Sequence, residues 1–187
     1  MTSDDEVAGA VRYLFELGML KRAKRTGWWI AGVKDSETIA EHSFRTAILG
    51  SMLAAMEGVD AARTGLLCLY HDTQETRIGD IPRIGRRYLT AADNESVTAD
   101  QVVAAPAAVS QMIMSVVAEY ERGESPEAIV ARDADKLECL IQAVEYRHQG
   151  CADVQRWIDS SRASLTTASA KRIADTVETV GILDWLR

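Results

Sequence analysis

Residues 61–76 read AARTGLLCLYHDTQET, and this stretch decides the fold class that the sequence predicts. Asp60, a favourable helix N-cap, precedes it, and apolar residues then occur nearly all round a helical projection. A second stretch of the same kind, TIAEHSFRTAILGSMLAAM at 38–56, begins with a T-x-x-E capping box and stops near Gly58. Helices that are apolar on most sides are typical of the middle of a helical bundle. We therefore predict an all-α fold.

The remaining sequence supplies further helices around this pair. Apolar periodicity and capping residues predict helices over 7–20, 106–122, 126–148, 154–160 and 169–180, and loops over 21–32, 79–82 and 89–99. The helix that follows Asp60 is expected to continue to about Thr76. No stretch has the composition of a linker. We therefore predict a single domain of residues 1–187, with a motif-bearing core at about 7–150 and C-terminal helices at about 151–187.

Composition and charge exclude several classes of protein. The 187 residues are 47% apolar, which is too many for a disordered chain. The net charge of −7 and a pI near 5.0 argue against a polymeric nucleic acid partner. The most apolar stretch, 102–118, is too short and too polar to span a bilayer, and the acidic start lacks the features of a signal peptide. Three cysteines without a CxxC motif indicate reduced thiols, so we expect a cytoplasmic protein with no membrane partner.

The histidines are few, and one stands next to an aspartate. The chain has only three: His42, His71 and His148. On a helix, His71, Asp72 and Glu75 project into one sector, which apolar residues border. A buried carboxylate is costly unless it is paired or bound to a metal. Two interpretations therefore stay open for this sector, a structural His–Asp hydrogen bond and a metal-ligand pair. His148 has no motif around it and is interpreted as structural.

Two further candidates lie elsewhere in the chain. His42 shares a helix face with Thr46 and Leu49, where a lone histidine is commonly a satisfied core residue; two such histidines in so histidine-poor a chain favour a ligand. Asp135 lies almost opposite the aliphatic stripe of its own helix. That position fits a solvated helix face, or a helix buried on both sides whose small residues allow a close approach to a metal.

Taken together, these motifs resemble a known family. His42, then His71-Asp72, then Asp135 resembles the H…HD…D signature of HD-domain metal-dependent phosphohydrolases. The segments TIAEHSFR (38–45), YHDTQETRIGDIPR (70–83) and RDADKLECLIQAVEY (132–146) are similar to its 5'-nucleotidase branch. RTGW at 25–28 is similar to archaeal and eukaryotic members of that branch. The resemblance spans residues 7 to about 150 and implies a single HD-type helical bundle.

The resemblance also implies roles for individual residues. It implies that one divalent metal ion, Mn, Co, Fe, Ni or Zn, is held by His42, His71, Asp72 and Asp135. Glu75 and Asp80 match the family's acidic pair, which makes them the candidate catalytic residues: Glu75 would be the general acid or base, and Asp80 would lie near the sugar. Arg25 would hold phosphate and Trp28 would pack near the nucleoside, although a core aromatic remains a competing interpretation of Trp28.

The implied activity is hydrolysis of a nucleoside 5'-monophosphate, including deoxynucleotides, to nucleoside and phosphate. Two alternatives stay open: the same chemistry on a modified nucleotide in a specialised pathway, and a non-catalytic helical module that keeps these residues for folding. The basic cluster of Arg83, Arg86 and Arg87 is either a solvated patch or a source of positive potential near the phosphate. A homodimer is also implied, for which an apolar surface of Trp157, Ile158, Trp185 or Leu186 is the candidate.

Overall fold

The computed structural model describes residues 2–186. Its α-helices are α1 (Asp4–Leu17), α2 (Gly27–Ile30), α3 (Ile39–Glu57), α4 (Ala61–Tyr70), α5 (Glu75–Ile78), α6 (Asn94–Val102), α7 (Ala107–Arg122), α8 (Pro126–His148), α9 (Gln155–Ala163) and α10 (Ala168–Val177). Short 3-10 turns cover 18–21, 85–87, 152–154 and 184–186. The only β-type pairing within the described residues is an isolated bridge between Lys24 and Thr38. The predicted all-α fold is confirmed.

The centre of the bundle is formed by α3, α4 and α8. Each of these helices contributes a fully buried leucine to the main hydrophobic core: Leu53 from α3, Leu67 from α4 and Leu137 from α8. The predicted capping box begins α3: the Thr38 hydroxyl accepts from the backbone N–H of Glu41, and the Glu41 carboxylate accepts from that of Thr38. This box fixes the first turn of α3, which carries His42.

Glycine at position 50 lets α3 approach its neighbours closely. A Cβ atom there would lie 2.5 Å from the Cys68 Sγ atom on α4 and 3.5 Å from the Ala134 Cβ atom on α8. By contrast, a Cβ atom at Gly65 on α4 would meet only ordinary contacts, the nearest at 3.6 Å. Replacing each of these two helical glycines with alanine therefore compares two effects on stability: the cost of overpacking, which arises only at Gly50, and the gain in helix propensity, which arises at both.

We expect Gly50→Ala to lower the free energy of unfolding by about 1–3 kcal/mol, because the added methyl overpacks the crossing of three helices. Gly65→Ala is expected to raise it by about 0.5–1 kcal/mol through helix propensity. Urea denaturation followed by circular dichroism measures both. Equal stabilisation by the two substitutions would show that α3 does not pack this closely.

One predicted helix ends earlier than expected. α4 ends at Tyr70 instead of continuing to about Thr76, and residues 71–74 form turns before α5. The Thr73 hydroxyl donates to the Tyr70 carbonyl, and the Glu75 N–H donates to the Asp72 carbonyl three residues back. Such local bonds offer the backbone an alternative to the helix. His71 and Asp72 thus lie in a turn at the end of a helix.

The prediction of a loop over 89–99 is confirmed for residues 89–93 and was wrong for the rest, because α6 occupies Asn94–Val102. Asp93 caps it, accepting from the Ser96 N–H. Two of its polar residues are buried and face the turn at 71–74: Gln101 donates to the Thr73 carbonyl, and Thr98 accepts from the Gln74 side chain. A polar face that is satisfied by a neighbouring turn lacks the apolar stripe by which a sequence reveals a helix.

The terminal segments complete the bundle. α1 begins with a capping box at Ser3 and packs with α6 and α7 in a smaller cluster around Tyr13 and Ile113. α9 and α10 pack on α8, and the loop predicted over 21–32 contains the single-turn helix α2. Ile158, proposed as part of an exposed apolar surface, is fully buried in the core, so that part of the surface prediction was wrong. Among the described helices, none has the length and apolarity to cross a membrane.

Candidate active site

Two imidazole rings meet at the centre of the bundle. His42 comes from the first turn of α3 and His71 from the turn that ends α4, and their Nε2 atoms lie 3.3 Å apart. Both side chains are buried. The capping box that begins α3 and the local hydrogen bonds that end α4 therefore set the distance between the two rings.

Two carboxylates face the same point. The Asp72 Oδ2 atom lies 3.2 Å from His71 Nε2 and 3.8 Å from His42 Nε2. The Asp135 Oδ1 atom lies 3.3 Å from His42 Nε2 and 3.9 Å from His71 Nε2. Asp135 is buried because Ala131 and Ala134 let α8 pack on both sides, so the solvated-face interpretation was wrong. The structure thus brings together all four residues named as candidate metal ligands.

The outer nitrogen of each ring has its own hydrogen-bond acceptor. His71 Nδ1 lies 2.6 Å from the Cys68 carbonyl oxygen, and His42 Nδ1 lies 2.5 Å from Glu138 Oε2. Both acceptors carry lone pairs only, so each Nδ1 atom bears the proton that it donates. In a neutral imidazole with Nδ1 protonated, Nε2 presents a lone pair. Both Nε2 atoms then face the same place, where a proton or a metal cation would relieve the repulsion between their lone pairs.

The electrostatics also favour positive charge at this point. Burial and Arg25 lower the pKa of His42, but hydrogen bonds with Asp135 and Glu138 outweigh them and raise it to about 9. Against burial, His71 and Arg25 hold the pKa of Asp72 well below its usual range. Two imidazoles and two ionised carboxylates are a donor set that suits divalent transition metals. The residues present therefore fit a divalent cation, which would replace the proton on His42 Nε2.

A cavity of about 590 Å³ opens from this cluster, within the size range of small-molecule sites. Its polar lining includes Arg25, Asp72, Glu75, Asp80, Asp135 and Lys136. The Glu75 Oε2 atom is buried and has no hydrogen-bond partner. Burial, with the negative charges of Asp72 and Asp80, raises the pKa of Glu75 to about 9. Glu75 therefore holds a proton at neutral pH beside the cluster.

The loop that carries Arg25 and Thr26 forms hydrogen bonds with Asp72 and with Asp80. The Arg25 Nη1 atom lies 2.9 Å from Asp72 Oδ2. Next to it, the Thr26 N–H and hydroxyl donate to the carboxylate of Asp80, and the hydroxyl also lies 2.7 Å from the Asp80 carbonyl oxygen. Asp80 therefore anchors the loop that presents Arg25 to the cavity.

Trp28 lies mostly inside the core, with 2% of its surface exposed. Its Nε1–H donates to Glu37, its ring stacks on Trp157 at 5.8 Å between centroids, and Tyr146 meets it edge-on. Both Trp28 and Trp157 contribute to the cavity lining. This burial fits the competing interpretation, a core aromatic, and leaves a small part of the ring for a ligand.

Several residues of the site carry no role in the sequence interpretation. Lys136 lines the cavity with its Nζ atom 2.5 Å from Asp135 Oδ2, and Glu138 and Arg45 form an ion pair behind His42. Their only sequence signal is a charged residue amid apolar positions of α3 and α8.

Of the basic cluster, Arg83 and Arg86 line the cavity, while Arg87 lies against the Tyr88 ring. His148 is exposed at the end of α8.

An all-α bundle that points two histidines and two aspartates at the floor of an open cavity has the architecture of a metal-dependent hydrolase. Comparison with known proteins agrees: the family model described as HD domain matches residues 17–178. The chain belongs to the HD domain family.

Two of the similar proteins are 5'-deoxynucleotidases. The 5'-deoxynucleotidase hdd1 of Schizosaccharomyces pombe is 30% identical over 145 residues, which cover 74% of this chain and 73% of that protein. The 5'-deoxynucleotidase HDDC2 of Dictyostelium discoideum is 27% identical over 173 residues, or 84% and 90% of the two chains. A solved structure of a conserved hypothetical protein from Pyrococcus furiosus is 27% identical, with a TM-score of 0.74 and coverage of 91% and 99%.

Proposed function

We propose that this protein is a 5'-nucleotidase, a metal-dependent phosphomonoesterase that hydrolyses nucleoside 5'-monophosphates, deoxynucleotides among them, to nucleoside and phosphate. The observation that carries the proposal is the convergence of two imidazoles and two carboxylates at the floor of a cavity lined by Arg25 and Glu75. The activity of these two relatives, 5'-deoxynucleotidase, supports the same reaction and substrate class.

One divalent cation would be held by His42, His71, Asp72 and Asp135. When bound, it supplies Lewis acidity for the phosphoryl group and for the attacking water. Its identity among Mn, Co, Fe, Ni and Zn is open, because all of them accept mixed imidazole and carboxylate ligands.

The protein's own groups hold the phosphate and move the proton. Water attacks phosphorus, the bond from phosphorus to the 5'-oxygen breaks, and Glu75 gives its proton to that oxygen, which leaves as the nucleoside hydroxyl. The attacking water keeps one hydrogen as the hydroxyl of the phosphate, and its other proton passes to the Glu75 carboxylate and restores the acid. Arg25 presents a guanidinium to the phosphate oxygens, a geometry that suits this side chain. Asp80 fixes the Arg25 loop through Thr26 and lines the cavity, where we propose that it lies near the sugar of a bound nucleotide. The exposed edge of Trp28 would contact the nucleoside.

The other parts of the proposal concern assembly and location. A homodimer is proposed, with Trp185 and Leu186 as exposed apolar candidates for its surface. A cytoplasmic location is proposed from the reduced cysteines, and the three described thiols are free. A modified nucleotide remains an alternative substrate, because the chemistry of the cluster acts on the phosphate and not on the base.

The test is phosphate release from a panel of ribonucleoside and deoxyribonucleoside 5'-monophosphates, with Mn²⁺ or Co²⁺ added after chelation. We expect release that depends on the cation and fails with the matching 3'-monophosphates. Cation binding without release from any member of the panel would contradict the proposed substrate class. Absence of any cation binding would instead favour the non-catalytic helical module.

A further inference from the structure

Glu138 is a fully buried carboxylate directly behind the candidate metal site. It lies on α8, one helical turn after Asp135, and its Oε2 atom accepts the Nδ1 proton of His42 at 2.5 Å. Its other oxygen, Oε1, accepts from Arg45, with Nε at 2.9 Å and Nη2 at 2.8 Å. Each oxygen of the carboxylate therefore has a different and specific donor.

Arg45 is itself held in one orientation. Its Nη1 atom lies 2.8 Å from both carboxylate oxygens of Glu145, and its Nη2 atom lies 2.7 Å from the Gln142 side-chain oxygen. All these acceptors are on α8, whereas Arg45 and His42 are on α3, three residues apart. The chain of contacts from Glu145 through Arg45 to Glu138 thus ends on the imidazole of His42. A buried carboxylate with both oxygens satisfied by charged or polarised donors has little freedom to rotate.

We propose that Glu138, oriented by Arg45, is a positioning residue for the cation: it holds His42 with Nδ1 as donor and keeps Nε2 aimed at the metal. This inference rests on the proposed function, since it requires that a cation binds at His42 Nε2. It adds a residue that touches neither cation nor substrate and acts through His42.

A competing arrangement uses the same atoms differently. The ligand atoms of Glu37, His42 and Glu138 also lie within 4.8 Å of one another, close enough to hold a cation on the other side of the ring. In that case His42 Nδ1 would bind metal and carry no proton. The state of His42 Nδ1 in the metal-loaded protein therefore distinguishes a positioning role for Glu138 from a ligand role.

The first experiment uses the wild-type chain loaded with Zn²⁺, which is diamagnetic, and labelled with ¹⁵N-histidine. Because the chain has only three histidines, two-bond ¹H–¹⁵N spectra resolve each imidazole. We expect the His42 ring to show a protonated Nδ1 atom, a zinc-bound Nε2 atom and a strongly deshielded Nδ1 proton shared with a carboxylate. An unprotonated Nδ1 atom on His42 would overturn the proposal.

The second experiment measures Zn²⁺ affinity by competition with a chromophoric chelator. Glu138→Gln is expected to raise the Kd about 10–100-fold, the usual effect of losing a carboxylate behind a metal-bound histidine, and to move the His42 Nδ1 proton upfield. Asp133→Asn is the matched control, because Asp133 is a buried carboxylate on the same helix that accepts from the N–H groups of Thr166 and Thr167 and contacts neither Arg45 nor His42. It should change the Kd less than about 3-fold, since additivity holds for sites that share no partners.

Other outcomes are equally informative. If Glu138→Gln lowers the melting temperature of the metal-free protein but leaves the Kd and the His42 proton unchanged, Glu138 is a structural tie and the proposal fails. If Glu138→Gln does not fold, Arg45→Gln at the half-buried end of the chain replaces it, and an unchanged Kd there overturns the proposal. Failure of the wild-type protein to bind Zn²⁺, Mn²⁺ or Co²⁺ would refute the metal site itself, a separate result.

Discussion

Replacing Glu75 with glutamine is expected to lower kcat about 10²–10⁴-fold, the usual contribution of general acid–base catalysis, while the protein keeps its cation. Glutamine has nearly the shape of a protonated glutamic acid but has no proton to give to the leaving 5'-oxygen. The Glu75 carboxyl lines the cavity beside the four candidate metal ligands but is not one of them, and its buried Oε2 atom has no hydrogen-bond partner. Steady-state hydrolysis, with parallel cation titration, measures both effects.

The same substitution should change the pH profile. Because the pKa of Glu75 is raised, the acid is protonated at neutral pH, and activity falls as pH rises through that pKa. A bound cation lowers the value below about 9, so the decline is expected on the alkaline side of neutrality. Glu75→Gln should lose this limb. Glu95→Gln, which removes a charge from an exposed position in α6, is the control and should keep both kcat and the limb. Wild-type turnover in Glu75→Gln would contradict the acid role.

Much of the helical framework is predictable from local sequence. The capping box at Thr38, the N-cap at Asp60 and the Ser125-Pro126 start of α8 each satisfy free backbone N–H groups with residues that are close in the chain. Such signals need no knowledge of tertiary structure. The resemblance to the HD domain family is also visible without tertiary structure, because each candidate ligand lies within a short continuous motif and the motifs follow one another in order.

The surroundings of the site depend on contacts between segments that are distant in the chain. The sequence of any single helix therefore does not predict them. Whether Asp135 faces solvent depends on what covers the far side of α8, and helical periodicity alone leaves both answers open. The charge of Glu138 is tolerated because His42 and Arg45, 96 and 93 residues away in the chain, lie opposite its two oxygens. In α6, Thr98 and Gln101 are buried because the turn at 71–74 supplies partners for them, and this turn is itself a departure from the expected helix.

Replacing Asp72 with asparagine should weaken cation binding about 10²–10³-fold and abolish turnover at low cation concentration. The Asp72 Oδ2 atom faces His71 and also pairs with Arg25, so the substitution removes a ligand charge and leaves the Arg25 guanidinium uncompensated beside the site. That loss of affinity corresponds to about 2.7–4.1 kcal/mol, which is comparable to the cost of about 3–5 kcal/mol for leaving one partner of a buried ion pair unpaired. Calorimetric titration with Mn²⁺ measures it.

The effect on turnover separates this residue from Glu75. Because Asp72→Asn acts by weakening cation binding, millimolar Mn²⁺ should restore part of its activity, whereas no concentration should restore Glu75→Gln. Asp133→Asn is the matched control: Asp133 is a buried aspartate on α8 that accepts from the N–H groups of Thr166 and Thr167. Its loss should lower the melting temperature and leave the cation Kd unchanged. A wild-type Kd in Asp72→Asn would remove Asp72 from the ligand set. The substitution takes away a negative charge and leaves the Arg25 guanidinium unopposed, and both changes should weaken the binding of a cation that Asp72 holds.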